Sequence, residues 1–119
     1  IWNDTWIWRA GSWKPLNLAE TGARSHLALA FSDTCDCVMR FGGGDSHRHP
    51  VGDTWELTDD AWISAAADGP SPRVDHAMTY DPARDVLVLF GGYVPGDSGA
   101  VFGDTWEWRD GSWSRADLE

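Results

Sequence analysis

Asp104-Thr105-Trp106-Glu107-Trp108-Arg109-Asp110-Gly111-Ser112-Trp113 is the third appearance of one pattern in this chain of 119 residues. The same order opens at Asp4-Thr5-Trp6 and again at Asp53-Thr54-Trp55, at offsets of 49 and 51 residues. A second tryptophan follows the first by seven positions in every copy: Trp13 after Trp6, Trp62 after Trp55, Trp113 after Trp106. Between them lie Arg-Ala-Gly-Ser, Thr-Asp-Asp-Ala and Arg-Asp-Gly-Ser, all prone to turn. Trp106 and Trp108 alternate with other residues, as do Trp55/Leu57 and Trp6/Trp8, and period-two alternation places each pair on one face of a strand. Asp110-Gly111 suits a tight hairpin turn, because both residues tolerate positive φ. Each copy therefore predicts two antiparallel strands that share the seven-residue tryptophan pair between them.

The pattern extends upstream. Gly42-Gly43 recurs as Gly91-Gly92 and Ala23-Arg24 as Pro72-Arg73, again 49 residues apart. Residues 26–31 and 76–80 read as one strand, and 38–41 and 86–90 as the next. The latter are near-continuous apolar runs, as expected of strands covered on both faces. Asp33-Thr34 and Asp81-Pro82 mark the turns between them. The repeating unit is strand, turn, apolar strand, Gly-Gly, long loop, Asp-Thr-Trp strand, turn, Trp strand. No useful helical periodicity appears. A period of this size is the signature of a repeat architecture.

Composition bounds the function. Apolar residues make up 42% of the chain, ordinary for a globular protein and against low-complexity disorder. The formal charge of −10 is spread along the sequence and repels phosphate backbones, so nucleic acid and anionic membrane are excluded as expected partners. No apolar stretch approaches the length of a membrane span, so no membrane insertion is expected. Cys35 and Cys37 are separated by one residue, a spacing that strains a disulfide, and they read as two free thiols.

Four short strands per roughly 50 residues, a Gly-Gly doublet ending the second strand and an aromatic ahead of a Trp closely resemble the kelch repeat. The resemblance covers nearly the whole chain. Pro72-Arg73, His76-Ala77-Met78 and Tyr80-Asp81, with Leu89-Phe90-Gly91-Gly92, are similar to bacterial kelch proteins especially. Trp6, Trp55 and Trp106 stand where the family usually has Tyr. With Arg24 aligned to Arg73, His26 falls opposite Asp75 and Leu27 opposite His76. The resemblance implies an all-β fold: a fragment of a kelch-type β-propeller, with two complete four-stranded antiparallel blades (24–66 and 73–115) and the outer two strands of a third (3–18). Propellers close with four to eight blades. Two and a half blades leave apolar faces open to water, so further blades of a longer chain, or self-association, are expected to cover them. Bacterial-type repeats slightly favour an extracytoplasmic or secreted setting.

The repeat absorbs most residues that look chemical. Asp4, Asp53 and Asp104 recur in register and read as scaffold that accepts backbone hydrogen bonds at the loop-to-strand corner. Gly42, Gly43, Gly91 and Gly92 serve close backbone approach, and Trp6, Trp13, Trp55, Trp62, Trp106 and Trp113 fill the wide outer part of each wedge. His26 and His76 read as packing or hydrogen-bonding groups rather than general bases. Cys37 aligns with Val86 and reads as core, while Cys35 aligns with Arg84 in a turn. Cys35-x-Cys37 and His47-x-His49 each fall short of the ligand number a zinc site needs, so neither a metal nor any cofactor is expected.

No nucleophile–base constellation stands out in the sequence, and no catalytic residue is assigned. Candidate binding residues remain. Arg24 and Arg73 match the arginines that line the binding face of kelch domains recognising acidic peptides, with a scaffold role as the competing reading. Asp45, His47, Arg48 and His49 lie in the loop 44–52, and Tyr93, Asp97 and Ser98 in the loop 93–103. These loops differ completely while the scaffold around them repeats, and scaffold-held variable loops carry function. The expected function is a non-catalytic module that binds a protein or glycan through loops on one propeller face. The alternatives are a fragment of a catalytic propeller, like galactose oxidase or the sialic-acid mutarotase, and a self-assembling structural segment.

Overall fold

The computed structural model describes residues 2–16, 22–59, 61–65, 68–96 and 99–116. Ten strands run in chain order: β1 Thr5–Arg9, β2 Ser12–Leu16, β3 Ala28–Ser32, β4 Cys37–Phe41, β5 Thr54–Thr58, β6 Ala61–Ser64, β7 Ala77–Asp81, β8 Val86–Phe90, β9 Thr105–Arg109 and β10 Ser112–Arg115. They form two four-stranded antiparallel sheets, β3-β4-β5-β6 and β7-β8-β9-β10, and the two-stranded sheet β1-β2. Among the described residues there is no helix, and hence none long and apolar enough to cross a membrane. The all-β fold and its division into two, four and four strands match the expectation from the repeat.

Turn chemistry accounts for the short connections. Asp110 and Gly111 both take positive φ, 50° and 82°, between β9 and β10. Ala10 and Gly11 do the same between β1 and β2, at 52° and 80°. The hairpin register sets Trp13 opposite Trp8, Trp62 opposite Leu57 and Trp113 opposite Trp108. Both first strands start later than the sequence suggests, at Ala28 and Ala77. His26 and Asp75 occupy the left-handed region, with φ of 57° and 56°, which interrupts extended backbone at that point.

The core lies between the two large sheets. Cys37 and Met39 on β4 pack against Leu87 on β8 and Trp108 on β9, with Met78, Tyr80 and Trp113 around them. Phe41 and Trp113 meet edge to face at 5.6 Å, and Trp108 and Trp113 at 5.3 Å. Such pairs add to the area they bury. The outward faces are uncovered: Trp13 is 63% exposed on the two-stranded sheet and Phe90 54% exposed on β8.

Two cysteines depart from expectation. Cys35 and Cys37 are joined by a disulfide, not free. Asp36 between them adopts φ of 50°, which curls the chain and brings the two Cα atoms to 5.1 Å, within the range a disulfide spans. The turn at Asp36 replaces the extended Cys-x-Cys backbone on which the free-thiol expectation rested. Cys37 is buried in the core, as its alignment with Val86 implies.

Candidate functional site

The repeated order of Asp, Thr and Trp becomes intelligible as two kinds of hydrogen bond. In every copy the first Trp donates its indole N–H to the Asp two residues before it: Trp6 to Asp4, Trp55 to Asp53 and Trp106 to Asp104, each at 2.7 Å. The second Trp donates to the Thr of the preceding copy: Trp62 Nε1 to Thr5 Oγ1 at 3.3 Å and Trp113 Nε1 to Thr54 Oγ1 at 2.9 Å. The aspartates thus accept indole protons from the ring two residues on, a role not expected of them from the sequence.

The same aspartates hold the two arginines. Arg73 is 1% exposed and grips Asp104 with both Nη atoms, at 2.6 and 3.0 Å. It also donates to the Gly91 carbonyl and lies 4.0 Å from the Phe102 ring centroid. Arg73 holds the Asp104 carboxyl down at about 2, helped by the Trp106 indole. Arg24 makes one contact with Asp53, at 2.9 Å, and one with the Ala23 carbonyl. Each arginine therefore ties the start of the first strand to the corner before the third strand of its own sheet. This is the scaffold arrangement that competed with the binding one in the sequence.

Gly-Gly brings the sheets together. Gly43 N–H donates to the Arg73 carbonyl at 3.0 Å. A Cβ on Gly43, which has φ of 91°, would lie 2.6 Å from the Ser25 carbonyl, and one on Gly42 would lie 2.9 Å from the Arg73 carbonyl. His76 crosses the same junction: its Nε2–H donates to the Phe41 carbonyl at 3.0 Å. Burial pushes the His76 imidazole below its usual range. His26 and Asp75, aligned positions of the two copies, face each other across the junction at 2.8 Å.

Beyond this junction the two long loops converge. Their bases are bridged to the strand starts through Ser25–Gly44 and Val74–Tyr93. A cleft of about 540 Å³ opens there, lined by Ser25, His26, Gly44, Arg48, Val74, Tyr93 and Pro95. Of the candidate residues, it gathers Arg48 and Tyr93 from different loops. Asp45 shapes the first loop instead: one carboxylate oxygen accepts the N–H groups of His47 and His49, at 2.8 and 2.9 Å. Those bonds, His49 foremost, lower the Asp45 carboxyl below its usual range. The His47 and His49 rings stack at 6.0 Å on exposed surface. Arg24 and Arg73 are turned into the sheets, away from the cleft lining. Asp97 and Ser98 lie outside the described residues.

Ser25, His26 and Val74 were not singled out for binding. They precede the first strands, and only the juxtaposition of the two sheets places them beside the loops. Among the described residues, no group of three or more His, Cys, Asp or Glu is arranged to hold a metal ion. No protein-family model and no curated protein matches this chain.

Proposed function

We propose that the chain is a non-catalytic binding module, part of a kelch-type β-propeller, that recognises a protein or glycan partner at the face where its two variable loops meet. The cleft of about 540 Å³ that joins those loops carries this reading. It is lined by the exposed Arg48, by His26, whose imidazole is paired with Asp75 outside the lining, and by Ser25 and Tyr93. A mixture of a few polar groups with an aromatic surface suits an oligosaccharide or a polar peptide loop. The repeated Asp-Thr-Trp corners, the Gly-Gly doublets and the four-stranded units support the kelch assignment.

The test is a screen of glycan and peptide arrays with the full chain, followed by titration of the best ligand against Arg48→Ala and Tyr93→Ala. Affinity is expected to fall at least tenfold in each variant, about 1.4 kcal/mol or more. Unchanged affinity in both would place recognition elsewhere and end this reading.

A further inference from the structure

We propose that Cys35 and Cys37 form a thiol–disulfide exchange site, with Cys35 as the sulfur that an incoming thiol attacks and Cys37 as the resolving sulfur. This site lies at the opposite end of the sheets from the ligand cleft and does not depend on it. Three observations carry it.

The fold does not need the bond. The second sheet makes the same turn with Arg84 and Val86 at the cysteine positions, and its Asp85 takes φ of 57° where Asp36 takes 50°. A disulfide between residues two apart closes the shortest of loops, where the stabilisation from loop closure is least.

The two sulfurs differ in access. Cys37 is 2% exposed, among Met39, Leu87 and Trp108. Cys35 lines a cleft of about 140 Å³ between the two sheets, with Thr34, Glu56, Asp85, Arg109 and Asp110 on its walls. Only Cys35 is open to an external nucleophile. In the disulfide the Ser32 carbonyl lies 3.9 Å from Cys35 Sγ and the Met39 sulfur 3.8 Å from Cys37 Sγ.

The cleft selects by charge. Glu56, Asp85 and Asp110 outnumber Arg109, whose guanidinium already donates to the Arg84 carbonyl. A small thiol carrying an ammonium group is therefore drawn in, and an anionic one is repelled.

The chemistry balances with an external monothiol. Its thiolate attacks Cys35 Sγ, the Cys35–Cys37 bond breaks, and the electron pair leaves on Cys37, which takes up a proton. A second thiol attacks the mixed disulfide at its own half. Cys35 leaves as a thiol, and the two small thiols depart as one disulfide. Two electrons pass to the protein and two external thiols are oxidised; oxidation runs through the same mixed disulfide, with Cys37 displacing the small thiol.

The experiment treats the folded chain with cysteamine or 2-mercaptoethanesulfonate, quenches by alkylation and reads each cysteine by peptide mass mapping. Cysteamine is expected to open the disulfide several-fold faster at low ionic strength, with the two rates converging in molar salt. With cystamine as oxidant, Cys37→Ser is expected to hold a stable adduct at Cys35, and Cys35→Ser to stay unmodified at Cys37. Should either variant fail to fold, mapping the transient adduct on the reduced wild-type chain reads the same preference. Opening only in denaturant, or adducts at Cys37 as readily as at Cys35, overturns the proposal. Equal rates for the two thiols at low salt overturn the charge selection.

Discussion

The two four-stranded sheets share a register and a hydrogen-bond plan, yet their interiors are finished differently. In β7–β10, Arg73 and Asp104 close on each other with two hydrogen bonds, and Leu89 fills the strand position behind them. In β3–β6, Arg24 reaches Asp53 with one. The position of Leu89 is taken by Arg40, which is 7% exposed and rests over Trp62 and Trp55 at 5.0 and 5.7 Å. Arg24 Nε, Arg40 Nε and Nη2 and Asp53 Oδ1 are all buried without a hydrogen-bond partner, whereas the second repeat leaves only His76 Nδ1 in that condition among the described residues. Burial pushes the Arg40 guanidinium below its usual range, against the pull of Asp53. One template thus tolerates a closed ion pair or an open, over-charged cluster at the same place, and the closed version is the more stable construction.

The largest effect should come from opening the closed pair. Arg73→Met leaves Asp104 without its partner and is expected to cost about 3–5 kcal/mol, against about 1–2 kcal/mol for Arg24→Met. Urea unfolding of the two variants reads the difference, and equal losses would erase the contrast between the sheets. Acid titration is next. Asp104 is depressed to about 2 in the folded chain, so its contribution is complete above the ordinary carboxylate range near pH 4 and is lost as the pH falls towards 2. That loss amounts to roughly 2 kcal/mol. It should persist in Arg24→Met and vanish in Arg73→Met.

Arg40→Leu copies the second sheet into the first. It is expected to raise stability by about 1–2 kcal/mol, since a buried guanidinium with unmet donors gives way to a packed side chain. A fall in the unfolding midpoint would mean that the rings under Arg40 outweigh its desolvation. The smallest contrast concerns the threonines. Thr54→Val removes the 2.9 Å bond from Trp113 and should cost about 1 kcal/mol, while Thr5→Val, at 3.3 Å from Trp62, should cost a few tenths of that. A double-mutant cycle with Trp113→Phe separates the bond from the packing.

Most of the fold was legible because its determinants are local and repeated. Asp110-Gly111 announces a turn wherever it stands, and alternation around Trp106 and Trp108 announces a strand. The division of labour within Asp-Thr-Trp was not legible, because it needs the neighbouring sheet: nothing near Thr54 in sequence points to Trp113. The disulfide was missed because spacing alone implies an extended backbone, and the left-handed turn at Asp36 became visible only in three dimensions. For the site, the loops identified Arg48 and Tyr93. Ser25, His26 and Val74 were hidden by their place just ahead of strands that look purely structural. The Arg24/Arg73 ambiguity could have been narrowed in advance, since an arginine that recurs with an aspartate in each copy invites an internal pair.

The indole-to-threonine bond gives the molecule a direction. Each one runs from a later sheet back to the hydroxyl of the sheet before it, so the stack has unlike ends: the Thr105 hydroxyl at one, which no indole reaches among the described residues, and the Trp13 indole at the other. In a stack held mainly by nearest-neighbour terms, melting starts where a neighbour is lacking. Hydrogen exchange should therefore show an ordered sequence, with the amides of β1 and β2 opening first and those of β4 and β8, flanking the shared core, opening last.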